Sequence, residues 1–95
     1  MVRVVETIEP PLEADQVYKF KVYRSPADGK SVFGYIEPHG VVNAGGQTVT
    51  WTTMKFGIPV AEAFAQAVAL AHEHGIPAIM VIDPDELFPV SERRA

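Results

Sequence analysis

Ile58-Pro-Val-Ala-Glu-Ala-Phe-Ala-Gln-Ala-Val-Ala-Leu-Ala-His-Glu-His-Gly-Ile-Pro-Ala-Ile-Met-Val-Ile-Asp-Pro84 decides the fold. It reads as one helix feeding one buried strand. Pro59 pre-sets φ at a helix start, where its missing N–H is not needed. Glu62 in the first turn complements the positive end of the helix dipole. Val60, Phe64, Ala67, Val68 and Ala71 recur at helical spacing and form an apolar stripe, with Glu62, Gln66 and Glu73 opposite. Alanines at 61, 63, 65, 67, 69 and 71 favour the helix and let its axis approach a sheet closely. Gly75 stops it, because glycine adopts the left-handed terminal conformation without strain. Ala78-Ile-Met-Val-Ile82 then runs apolar without alternation, the pattern of a strand covered on both faces or flanked by neighbours. Following a helix, it is expected to lie parallel to an earlier strand through a right-handed crossover. Asp83-Pro-Asp-Glu86 resembles a capped helical turn, with Asp83 as cap and Glu86 reaching back. Leu87 and Phe88 are expected to pin that turn to the core.

A helix with this stripe needs a sheet to lie on, and the preceding residues supply one. Residues 16–24 alternate, with Tyr18, Phe20 and Val22 on one side and Lys19, Lys21 and Tyr23 on the other. Ser25-Pro-Ala-Asp-Gly-Lys30 is a turn, and residues 31–37 are the return strand of a hairpin. A connection with Gly45-Gly46 at its tip leads to a third strand over 47–54. There Val49 and Trp51 share one face and Thr48, Thr50 and Thr52 the other. Trp51 is expected under the helix against Phe64 and Val68, with an interaction hot spot as the alternative. Residues 1–15 read as a loosely attached arm, stiffened by Pro10-Pro11, although Val2, Val4 and Ile8 also suit an edge strand. Residues 91–95 read as a frayed tail.

The chain has 95 residues, which makes one domain, here 16–90 without the arm and tail. Its hydrophobic fraction of 47% argues against general disorder. The absence of cysteine excludes disulfides, thiolate metal sites and cysteine catalysis, and suits a cytoplasmic location. Met1–Glu6 lacks the apolar run of a signal peptide, and no run approaches the ~20 residues of a membrane helix. Net charge is −4, which argues mildly against general nucleic-acid binding. The middle of the chain is nevertheless basic: Lys19, Lys21, Arg24, Lys30 and Lys55 against Asp28 and Glu37 only.

Motifs for chemistry are scarce. His72 and His74 diverge by about 200° around a helix and cannot share one ion, so no metal site is expected. Both suit the negative helix terminus. Asp83, Asp85 and Glu86 lie at the end of a presumed parallel strand, where ligands gather in open α/β sheets. A small-ligand or enzymatic site there, with His39, competes with the plain capped turn. Ser25, Ser31 and Ser91 lie in no nucleophile elbow, and Gly45-Gly46 lacks the lysine and helix of a phosphate loop. No catalytic residue and no cofactor is expected.

The sheet face away from the helix is the better candidate. Lys19, Lys21, Tyr23, Phe33, Tyr35, Thr50 and Trp51 are the candidate binding residues. Pairing Lys21 with Phe33 and Lys19 with Tyr35 would interleave aromatic rings with lysines, suiting bases and phosphates or a dimer interface. A one-residue slip would instead send Phe33 and Tyr35 into the core, and the sequence leaves that choice open. An ordinary solvated face is the third outcome.

Gly57-Ile-Pro-Val-Ala-Glu-Ala-Phe-Ala-Gln-Ala67, together with the order strand, strand, strand, helix, strand, resembles the small antitoxin domains of the HicB family. The family's Pro-x-x-Pro/Gly-Cys-like loop and its appended DNA-binding helix pair have no counterpart here. The resemblance implies that such a layout serves as a dimeric binding module.

The expected fold is α+β, a two-layer β-β-β-α-β sandwich: an antiparallel three-stranded meander, a crossover strand, and one helix on one face. The expected role is a small non-enzymatic interaction domain, homodimeric through the open sheet face or an edge strand. The alternatives are a nucleic-acid-binding or antitoxin-like regulatory module on the basic hairpin face, and a small-ligand binder or enzyme near Asp83 and Asp85.

Overall fold

The computed structural model describes residues 2–8, 10, 12, 16–37 and 55–94 in full, and 39–42 and 48–52 by their backbone. The fold is α+β. Four strands form one sheet in the order β1-β6-β2-β3: β1 (Arg3–Val5), β2 (Val17–Arg24), β3 (Val32–Ile36) and β6 (Ala78–Ile82). β6 is parallel to both β1 and β2, and β2 is antiparallel to β3. One helix, α1 (Val60–Glu73), lies across β3, β2 and β6. β4 (His39–Val42) and β5 (Thr48–Thr52) pair only with each other, as a two-stranded ribbon.

The helix and β6 follow the sequence reading closely. Pro59, in extended conformation, precedes the first helical residue. Ala63, Phe64, Ala67 and Ala71 are buried, with Val60, Val68 and Leu70 packed beside them. The end is a Schellman motif: Ile76 N–H donates to Ala71 O at 2.7 Å and Gly75 N–H to His72 O at 3.3 Å. Gly75 takes φ +69° there. β6 is flanked on both sides, and its outward residues Met80 and Ile82 are half-buried, which suits its lack of alternation.

The core lies between α1 and the sheet. Tyr18, Phe20, Ile36 and Ile79 face the helix, with Val22 and Val81 beside them. Phe20, Phe64 and Phe88 form an aromatic trio, with ring centroids 5.4 Å apart for Phe20–Phe64 and 5.2 Å for Phe64–Phe88. The Tyr18 hydroxyl is hydrogen-bonded to His74 Nδ1 at 2.7 Å. A buried phenol needs such a partner.

Three expectations are corrected. The third strand does not complete a meander in the main sheet. Its place beside β3 is taken by the segment entering the helix: Gly34 N–H donates to Ile58 O at 3.2 Å, and Phe33 bridges to Pro59. β3 has only one free edge, so β5 pairs with β4 instead. Trp51 therefore belongs to a strand outside the sheet under α1, and its side chain lies outside the described residues. The N-terminal arm is anchored at its start: Arg3–Val5 pairs with β6, Arg3 N–H donates to Pro77 O at 2.9 Å, and Val2 is buried. Val2 and Val4 both pack on the core, which offsets the cost of ordering so short an edge strand. The tail is tied down as well. Val90–Glu92 forms a 3-10 helix, and Arg93 Nη2 donates to Asp83 Oδ2 at 2.9 Å.

Candidate interaction surface on the open sheet face

Hairpin register decides what the outer face carries. Lys21 pairs with Tyr35 and Tyr23 with Phe33. This lies two residues from the pairing written above, and so keeps Phe33 and Tyr35 on the face of Lys19, Lys21 and Tyr23. Core demands select this parity. Phe20 and Val22 point toward α1, which sends their neighbours outward.

The outward aromatic rings touch one another. Tyr23 stands edge-on to Phe33 and to Tyr35, both at 5.7 Å between centroids. Phe56, from the segment before α1, reaches over to Tyr35 at 4.8 Å. Its position is held by Gly57, whose N–H donates to the Tyr23 hydroxyl at 3.1 Å. Phe56 nevertheless leaves 73% of its surface in water. Edge-on and tilted ring pairs of this kind are favourable beyond their burial.

Beside the rings runs a shallow cleft of about 390 Å³. It is lined by Lys21, Tyr23, Tyr35, Phe56, Ile82 and Pro84. Lys21 Nζ lies 2.6 Å from Glu37 Oε1, and this carboxylate raises the lysine pKa by hydrogen bonding and charge. The lysine thus carries its charge at neutral pH, and the pair is lost as pH rises through the raised lysine value. Lys19, by contrast, is exposed.

Of the residues singled out in the sequence, Lys19, Lys21, Tyr23, Phe33 and Tyr35 share this face. Thr50 and Trp51 lie on β5, in the separate ribbon, and their side chains are outside the described residues. Phe56, Ile82 and Pro84 were not singled out. The available signal for Phe56 was an aromatic residue between Lys55 and Gly57, in a connection too short to bury it.

The acidic end of β6 is built differently from the capped turn. Asp83 Oδ1 accepts the N–H of Leu87 at 2.8 Å and Oδ2 that of Phe88 at 2.7 Å. Oδ2 also accepts Arg93, whose Nε donates to Phe88 O at 2.9 Å. The Asp83 side chain is 1% exposed. Glu86 does not reach back; it sits at φ +53° in solvent. A cleft of about 550 Å³ adjoins this turn, lined by Glu6, Glu86, Pro89 and Val90 among others. Asp83 is committed to structure, and the side chain of His39 lies outside the described residues. Among the described residues no group of three or more histidines and acids is placed to hold a metal ion. Among them no helix is long and apolar enough to cross a membrane.

No protein family, curated protein or solved structure matches the chain.

Proposed function

We propose that this chain is a non-enzymatic interaction domain that forms a homodimer through the outer face of its sheet, in the cytoplasm. The observation that carries the reading is the aromatic cluster of Tyr23, Phe33, Tyr35 and Phe56 on the one sheet face that α1 does not cover. Tyr and Phe are enriched at the centres of protein interfaces, where they bury large area at little entropy cost. Phe56 extends this cluster as the most exposed large hydrophobic side chain among the described residues.

The face is favoured over the edges. Ile58 and Pro59 already occupy the outer edge of β3. β1, at the other edge, is only three residues long. Short edges and prolines are the usual protection against strand-to-strand pairing.

A nucleic-acid partner is the second reading, because Lys19 and Lys21 share the face with these rings. It is the weaker one: Lys21 is held by Glu37, and the rings lean on one another's edges instead of opening flat faces for bases. Sedimentation equilibrium separates the two. The homodimer reading expects twice the 10.4 kDa chain mass and no titration by single-stranded RNA. A monomer whose RNA binding falls steeply with salt would transfer the face to nucleic acid.

A further inference from the structure

We infer that the homodimer is closed by reciprocal insertion: Phe56 of each copy enters the cleft of the other and packs against its Ile82 and Pro84. This rests on the homodimer reading above and adds the register of the two copies. One patch supplies both the ring and the place for it. Phe56 lines the cleft, yet leaves 73% of its surface in water. The cleft holds about 390 Å³. An apolar cavity of ~150 Å³ already takes a benzene ring. In a two-fold contact one residue meets a second on the partner, and the second meets the first in return. An exposed ring beside an apolar cleft is therefore self-complementary.

Charge decides which occupant fits. Among the described residues Lys21 is the one charged side chain lining the cleft, and its Nζ is held 2.6 Å from Glu37 Oε1. An acidic occupant would have to compete with Glu37 for it, and a basic one would meet the ammonium group. A neutral aromatic ring does neither, and the Ile82 and Pro84 side chains ask for no hydrogen bond. Both parts of the contact are set before any partner arrives. Phe56 leans on Tyr35 at 4.8 Å between centroids, and Gly57 beside it donates its N–H to the Tyr23 hydroxyl at 3.1 Å. Ile82 is paired with Lys21 in the sheet, and Pro84 follows Asp83, whose carboxylate accepts the Leu87 and Phe88 amides. Groups already in place lose less freedom on association. An aromatic side chain seated in a partner's pocket is the commonest kind of interface anchor.

Mixing two variants of the full chain tests the register. Phe56→Ala removes the ring and keeps Ile82 and Pro84; Ile82→Asn keeps the ring and spoils its seat. Each is expected to weaken self-association about tenfold or more, since both reciprocal contacts are lost. An equimolar mixture is expected to associate about threefold tighter than either variant alone, beyond the statistical factor for a mixed pair, because one intact ring then meets one intact seat. Dissociation constants come from sedimentation, and urea unfolding confirms that each variant is folded. Isotope-filtered NMR on a mixture of labelled and unlabelled wild-type chains reads the contact without any substitution. It is expected to show nuclear Overhauser effects from the Phe56 ring of one copy to the Ile82 methyl groups of the other. A mixture no tighter than its components, or a dimer in which those effects are missing, overturns the register and leaves the homodimer standing. A wild-type monomer at millimolar concentration overturns the homodimer itself; if its Phe56 and Ile82 signals then move on adding polyproline, the cleft belongs to a proline-rich partner instead.

Discussion

Phe20 lies directly over the backbone of Gly34, so that a Cβ added at Gly34 would come within 2.3 Å of the ring's Cζ. The ring has no room to retreat. It is fully buried and packed against Phe64 and Phe88. Gly34→Ala is therefore expected to destabilise the domain by about 1–3 kcal/mol through overpacking. Urea unfolding measures this. A change below half that range would mean that the hairpin shifts freely against the core.

Asp83 and Arg93 tie the end of the chain to β6. Their side chains are 1% and 12% exposed, and Asp83 also satisfies two backbone amides. Removing the carboxylate strands a largely buried guanidinium and two N–H groups. Asp83→Ala should cost about 3–5 kcal/mol. The double variant with Arg93→Ala should cost less than the two single losses together, because the stranded charge goes too. Additive losses in a double-mutant cycle would show that the pair is not coupled.

Phe56 separates association from stability. It is exposed at 73%, so Phe56→Ala should change the unfolding free energy by no more than about 0.5 kcal/mol. The same change should weaken self-association about tenfold or more, as expected for an aromatic anchor. A large loss of stability would instead assign Phe56 to the fold.

Asp28 organises the hairpin turn, and its ionisation should be visible there. Its carboxylate accepts the Ser31 hydroxyl at 2.6 Å and the amides of Lys30 and Ser31 at 2.8 and 2.9 Å. The Ser31 hydroxyl, then those amides, lower its pKa from 3.8 to about 2. A depressed carboxylate stabilises the fold above its unfolded value and loses that contribution as pH falls through the folded one. The turn should thus stay ordered until pH drops from about 4 toward about 2. Carboxyl-carbon NMR titration should give a midpoint near the lower limit, and Ser31→Ala should raise it. A midpoint unmoved by Ser31→Ala would contradict the assignment.

How legible each part was depended on how local its cause is. α1 and its Gly75 stop rest on contacts within a few residues, and they appear where the spacing of Val60, Phe64, Ala67 and Ala71 puts them. β6 read as buried because Ala78-Ile-Met-Val-Ile82 is apolar throughout. The partner of β3 was not legible. A third strand following a hairpin ordinarily joins it, and only the return of Ile58–Pro59 along β3 displaces β5. The Asp83–Arg93 tie spans ten residues with no periodic signal, so the tail looked free. At the candidate surface, alternation placed Lys21, Tyr23, Phe33 and Tyr35 on one side or the other as a set. The choice of side waited on register, which the burial of Phe20 and Ile36 decides. Phe56 went unnoticed because its role comes from a long-range hydrogen bond between Gly57 and Tyr23.

The central claim is that the chain pairs with itself through the face that α1 leaves open. Backbone amide NMR spectra across a dilution series test it most directly, since they report association and its location together. The account predicts concentration-dependent shifts at Lys21, Tyr23, Tyr35 and Phe56, with the exposed side of α1 unmoved. Spectra that do not change with concentration, or that change along α1 or β1 instead, would contradict it.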